Sequence, residues 1–190
     1  MADHSMTASY KERLARNRLG LWLFIISDAF VFIGLFVARM VLLPGQRPEL
    51  DQTLGLVVTS MLLVSSFFMN RAETEMAHGN RAGFLRGTLI TLILGVIFLI
   101  GVVGVEWQIA HFGPADGAQG AIFYAMTGFH AFHVLTGVIF LAIVWNNGRK
   151  GHYSAEEHWA VEACAVYWHF IDVVWIFFYP ALYLMGTPVL

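Results

Sequence analysis

The chain has 190 residues, 58% hydrophobic and 13% charged, with a mean hydropathy of +0.66, whereas soluble domains carry about 25% charged residues. Those values describe an integral membrane protein. A formal net charge of -2, with no basic run interleaved with aromatics, is too small to suggest a nucleic-acid partner. The single cysteine, Cys164, excludes an intramolecular disulfide and any all-cysteine metal site, and its apolar neighbours make it a buried, inert thiol.

The first eighteen residues are polar, and the first apolar run is already of spanning length, so no cleavable signal is expected. About 20 predominantly apolar residues span the hydrocarbon as a helix. The first such run lies near 19–43 and ends at Pro44-Gly45 with Pro48. A second lies near 54–72, followed by a charged stretch from Arg71 to Arg86 in which Arg71, Glu73, Glu75 and Arg81 read as a solvated loop. The third, near 84–106, carries Gly95, Gly101 and Gly104, which allow close helix approach. Gly113-Pro114 with Gly117 turns the chain into a fourth run near 120–146, and Asn146 to His158 leads to the fifth, near 159–186. The expectation is one all-α membrane domain over 1–190 with five transmembrane helices.

Of the eleven Lys and Arg residues, nine (Lys11, Arg13, Arg16, Arg18, Arg71, Arg81, Arg86, Arg149 and Lys150) fall on one side of these spans, and Arg39 and Arg47 on the other. The positive-inside rule then puts the N-terminus, residues 1–18, in the cytoplasm and the C-terminus outside. Trp22, Trp145 and Trp159 near inner ends and Trp107 near an outer end suit an interfacial belt.

Ionisable groups inside the spans are costly and mark the informative positions. At 1.5 Å per residue, Asp28 lies about 13 Å into the first helix and His169 about 15 Å into the fifth, while His130 and His133 lie about 15–20 Å into the fourth. Asp172 is one turn beyond His169, and Glu162 sits close to the inner edge. Glu162 and His169 fall on one stripe with Asp172 close by, and His130 and His133 share a face. Lipid tails offer no hydrogen-bond partner, so these stripes should turn towards other helices or a polar cleft. Asp28 has no basic neighbour on its own helix; its partner is elsewhere, or it is held protonated.

Each group also has a plainer account. His130 and His133 can be interhelical hydrogen-bonding residues. Metal or haem ligation would need ligands converging from several helices, and three midplane histidines without paired spacing form a weak haem signal. Trp168, Trp175 and Tyr179 form a stripe that suits packing against a neighbouring helix or lipid.

The motifs resemble those of subunit III of the haem-copper terminal oxidases, in a short five-helix form. The likeness runs from about Leu19 to Gly186. Tyr167-Trp168-His169-Phe170-Ile171-Asp172-Val173-Val174-Trp175 is similar to the signature of that family's last helix, with Glu162 just upstream. Thr127-Gly128-Phe129-His130-Ala131-Phe132-His133-Val134, followed by Gly137, resembles its penultimate helix, and Gly79-Asn80-Arg81 and Glu106-Trp107 resemble its middle helices. One departure is Ser27-Asp28, where cytochrome c oxidase members usually read Ser-Glu and quinol-oxidising members often have aspartate. The two N-terminal helices of the seven-helix form have no counterpart in this sequence, which suggests a bacterial-type protein.

The resemblance implies an accessory subunit without haem or copper, packed beside catalytic subunit I and subunit II, which hold those groups. It implies a bundle with a V-shaped cleft for bound phospholipid, helices one and two forming one arm and helices three to five the other. It further implies support of oxygen reduction to water, of proton uptake and of lipid or oxygen access, with electrons from cytochrome c or quinol, in the bacterial cytoplasmic membrane. Asp28 would be the proton-related intramembrane carboxylate. His130, His133, Glu162, Trp168, His169 and Asp172 would support the bundle and its lipid cleft, with no catalytic or metal-ligating residue in the chain.

Three other readings stand beside it: a partner of a nitric oxide reductase, a stand-alone haem protein using His169 with His130 or His133, and a proton-coupled transporter using Asp28 and Glu162. Five helices without an internal repeat depart from the usual transporter plan.

Overall fold

The computed structural model describes the backbone of residues 2–189 and the side chains of residues 12–188. Lys11, counted above among the charges of the basic side, has its side chain outside the described residues, as do Met1 and Leu190. Five helices are long and apolar enough to cross a membrane, and the bundle is all-α apart from one short strand pair.

Helix α1 spans Ala2–Leu42, so the polar segment before residue 19 continues the first span as helix. Its composition explains this: the stretch up to Asn17 contains neither Gly nor Pro and ends in Lys, Arg, Glu, Leu and Ala, all good helix formers. Pro44 and Gly45 end it, and β1 (Gln46–Pro48) follows. Helix α2 spans Gln52–Ala77 and is capped by Asp51, whose Oδ1 accepts the amide N–H groups of Thr53 at 2.8 Å and Leu54 at 2.9 Å.

The charged stretch expected as a loop is almost entirely helical. Helix α2 runs to Ala77 and α3 begins at Arg81, leaving only His78, Gly79 and Asn80 as the turn. Gly79 takes a φ of +76°, the left-handed conformation that closes a helix, and the Asn80 side chain then caps α3 by accepting from Gly83 N–H at 3.1 Å. Arg81 is not a solvated loop residue: its Nε donates to the Gly148 carbonyl at 2.9 Å, and its terminal nitrogen also reaches the Arg149 carbonyl. Arg71 pairs with Glu75 at 3.5 Å on the surface of α2.

Helix α3 covers Arg81–Ile109, widening into a π-helical segment over Ile100–Glu106. Helix α4 covers Gly117–Arg149, and α5 covers Trp159–Leu184, its last turn, from Pro180, also π-helical. Strand β2 (Thr187–Val189) pairs in parallel with β1, Gln46 opposite Thr187, which ties the chain's end to the α1–α2 connection.

Helix α5 is the hub. Of its most apolar window 61% is buried, against 11% for α1. It packs on α1, α2 and α4, while α2 packs chiefly on α3, and α3 also on α4. The expected pairing of α1 with α2 as one arm is not formed: α1 lies against α4 and α5, and α2 belongs with α3. The reason is connection geometry. The α2–α3 turn is three residues long and holds those helices together as an antiparallel hairpin, whereas α1 is linked to α2 through a longer segment that pairs with β2 instead.

In lipid, helices gain little from leaving the solvent, so close packing decides the arrangement. Trp168 shows how. A Cβ on Gly95 of α3 would stand 2.5 Å from its ring and one on Gly137 of α4 3.0 Å, so two glycines form the slot that admits the indole. Gly101 meets Val58 of α2 in the same way, but Gly104 faces only Ile100 of its own helix and makes no interhelical approach.

Candidate functional site

Asp28 of α1 finds its partner on α4. His133 Nε2 stands 3.1 Å from Asp28 Oδ2 and 3.3 Å from Oδ1, with the two side chains 12% and 15% exposed. The other ring nitrogen, Nδ1, lies 2.6 Å from the Phe129 carbonyl. A carbonyl can only accept, so Nδ1 carries a proton, and Nε2 with the carboxyl must share one more. The pair is then either imidazolium with carboxylate or imidazole with carboxylic acid, and its net charge is zero in both forms.

The surroundings suit such a pair. The Phe32 ring meets the His133 imidazole edge-on with centroids 4.7 Å apart, and meets Phe170 and Phe178 on other sides. Phe32 also lines an apolar groove of about 400 Å³ between α1 and α5, formed with Ile33, Phe36, Val173 and Phe177 among others. One aromatic ring therefore stands between the polar pair and an apolar surface groove. Towards the basic end, the Tyr167 hydroxyl and Thr136 Oγ1 lie 2.8 Å apart, and Thr136 donates to the His133 carbonyl at 2.8 Å.

His130 and His133 do not act alike, although three residues apart. His130 is fully buried, stacked on Trp175 at 4.7 Å and edge-on to Phe98 at 5.6 Å, and neither of its nitrogens has a hydrogen-bond partner. Facing the α3–α5 side rather than α1, it is part of an aromatic core.

The polar residues of α5 meet different helices. Ser66 of α2 donates to Asp172 Oδ2, and its oxygen lies 3.1 Å from His169 Nδ1. A serine hydroxyl has one proton, so with that proton on Asp172 it accepts from His169. Asp172 Oδ1 is buried without a partner. Glu162 binds Arg18 of α1 at 2.7 Å and lies 3.7 Å from His158. Trp168 donates to Ser65 and Trp175 to Thr59, each at 2.9 Å, so the α5 tryptophans read as a packing stripe are hydrogen-bonded to α2 as well.

His130, His133 and His169 are therefore engaged by separate neighbours on α5, α1 and α2. Among the described residues, no three histidine, cysteine or carboxylate side chains gather closely enough to hold a metal ion.

Two polar residues at the end opposite the basic one were not singled out by the sequence. Arg39, 2% exposed, donates to four carbonyls: Ala181 at 2.9 Å, Leu43 at 2.8 Å, Gln46 at 2.5 Å and Met185 at 3.0 Å. It joins the end of α1, β1 and the π-helical end of α5. Glu106, 1% exposed in the π-helical segment of α3, accepts the Tyr183 hydroxyl at 2.5 Å on Oε1 and also on Oε2. The signal was available in both, since each is an ionisable residue inside an apolar helix.

A profile of the family described as Cytochrome c oxidase subunit III matches residues 7–187. Among curated relatives, the Cytochrome c oxidase subunit 3 of Podospora anserina is 38% identical over 182 residues, covering 89% of this chain and 67% of that protein. The protein of that name from Equus caballus is 37% identical over 183 residues, 90% and 70% of the two chains. That of Synechocystis sp. is 34% identical over 174 residues, 87% and 74%. A match over nearly the whole chain, on a bundle of five membrane-spanning helices, places it: the chain belongs to the cytochrome c oxidase subunit III family.

Proposed function

We propose that the chain is the accessory subunit III of a haem-copper terminal oxidase that reduces oxygen to water, seated beside catalytic subunit I and subunit II, which hold haem and copper. Electrons come from cytochrome c or quinol. In this reading it sits in the bacterial cytoplasmic membrane with its N-terminus in the cytoplasm, carries no redox centre of its own, and sustains proton uptake by its partner while guiding lipid and oxygen towards it.

The observation that carries the mechanistic part is the Asp28–His133 pair behind Phe32. A pair that shares one proton is neutral with that proton on either member, so the proton can shift between carboxylate and imidazole without leaving a net charge among the spans, which a lone carboxylate could not offer. The apolar groove on the other side of Phe32 suits acyl chains and apolar solutes. Glu162, Trp168, His169, Asp172 and His130 serve the bundle that holds this arrangement.

Asp28→Asn removes the proton-sharing capacity but keeps the size and one acceptor. The expected outcome is an oxidase that assembles with unchanged subunit ratios yet takes up protons more slowly or loses activity sooner during turnover. Identical proton uptake and lifetime across pH would refute the role. Purifying the chain alone and recording its spectrum tests the rest: stoichiometric haem or copper in the isolated chain would overturn the non-redox assignment.

A further inference from the structure

At the basic end of the bundle, α2 and α3 enclose a groove of about 310 Å³ whose lining includes Phe68 and Arg71 from α2, Asn80 from the turn, and Arg86, Gly87 and Ile90 from α3. The groove is separate from the one between α1 and α5. Its charges are unevenly matched. Arg71 is 65% exposed at the side chain and only loosely paired with Glu75 at 3.5 Å, and Glu75 also accepts from Asn80 at 2.7 Å. Arg86 is exposed and, among the described residues, has no carboxylate or carbonyl partner. Two guanidinium groups thus face one carboxylate across the groove.

Depth places those guanidinium groups where lipid headgroups lie. The Trp145 indole donates to the Leu85 carbonyl at 3.2 Å, and Arg149 stacks over the same ring at 4.7 Å, a combination that marks the headgroup level. Arg86 is the next residue along. Beyond it, Ile90, Ile93 and Ile97 repeat at helical spacing, 36%, 48% and 38% exposed, so an apolar rail leads from the arginine into the bilayer. From Arg86 to Ile97 the rail is about 16 Å long, which is about half the 30 Å hydrocarbon thickness. The length and polarity fit one lipid of one leaflet.

We propose that this α2–α3 groove binds an anionic phospholipid, with Arg71 and Arg86 on its phosphate and the isoleucine rail along one acyl chain. Zwitterionic lipid fits less well, because its own cation would oppose two arginines balanced by one carboxylate. The site is distinct from the proton-related pair on α1 and α4, so its failure leaves the proposed function standing.

The test is phospholipid retention by the intact oxidase complex, reconstituted in equal parts phosphatidylglycerol and phosphatidylcholine, taken into mild detergent and counted by native mass spectrometry. The expected result is that Arg71→Gln/Arg86→Gln loses a retained phosphatidylglycerol, while Arg13→Gln/Arg16→Gln, which removes as much charge from the same end, retains it. Ile90→Trp, which fills the groove without altering charge, should also release it. Unchanged retention in the groove variants would overturn the proposal, as would equal loss in the control. So would displacement by inorganic phosphate as complete as that by added phosphatidylglycerol, since a phosphate site would then need no lipid.

Discussion

Asp28 and His133 stand 105 positions apart in the chain yet share one proton across a helix interface. Because the Phe129 carbonyl fixes the proton on Nδ1, the imidazole cannot turn away from Asp28 without losing a second bond. Replacing one member alone strands the other in the bundle, whereas replacing both with apolar residues removes the need for either. The separate effects of Asp28→Leu and His133→Leu should therefore sum to more destabilisation than the double substitution shows, with a coupling of about 0.5–3 kcal/mol. Thermal dissociation of the subunit, measured in all four combinations, checks this; simple additivity would mean that the contact contributes nothing. Depth identified Asp28 as costly from the sequence, but not its partner, because helical period tells which face a residue occupies and not which helix that face meets.

At the scale of elements, α5 is held by an alternation of indoles and small residues. Trp168 enters the slot between Gly95 and Gly137 and reaches Ser65, and one turn pair further on Trp175 reaches Thr59. Gly95→Val puts branched carbons where the Trp168 ring lies, and overpacking of this kind costs about 1–3 kcal/mol. The subunit should then dissociate or unfold at lower temperature. Ser65→Ala should have a smaller effect, about 0.6 kcal/mol, the mean for interhelical hydrogen bonds in membranes. A stability ranking with Ser65→Ala worse than Gly95→Val would show that hydrogen bonding, rather than packing, holds α5 in place. The glycines were legible in the sequence as sites of close approach, but Gly104 was not separable from Gly95 and Gly101: all three lie in the same apolar run, and only the position of α2 and α5 decides which of them meets a neighbour.

For the molecule as a whole, the two ends of the bundle are closed differently. The basic end is closed by cations on carbonyls and carboxylates, Arg81 on the end of α4 and Arg18 on Glu162. The opposite end is closed by Arg39, whose four carbonyl acceptors lie just past the end of α1, in β1, and in and just past the last turn of α5, and by the Glu106–Tyr183 contact between α3 and α5. Arg39→Met takes one donor from each of these carbonyls, of which Leu43 still accepts from Gln46 N–H at 3.3 Å, and each buried group left unsatisfied costs about 1–3 kcal/mol. Faster amide exchange around residues 181–189, with the basic end unaffected, is the expected signature; uniform exchange along the chain would contradict it.

The sequence by itself determined the number of spans, the sign of charge at each end and the depth of each ionisable residue. These follow from the hydrocarbon thickness and the 1.5 Å helical rise, which act on each segment independently. It also placed the turn residues, though it took the helical 71–86 stretch for a loop, because charge signals solvent contact and not the absence of helix. Only the tertiary structure decided that α1 packs on α4 and α5, that Asp28 meets His133, that His130 turns into an aromatic core, and that Arg39 closes the end opposite the basic one. Between helices already in lipid, apolar faces are nearly interchangeable, so neighbours are chosen by the fit of particular side chains into particular slots, and that fit exists only once all the helices are in place.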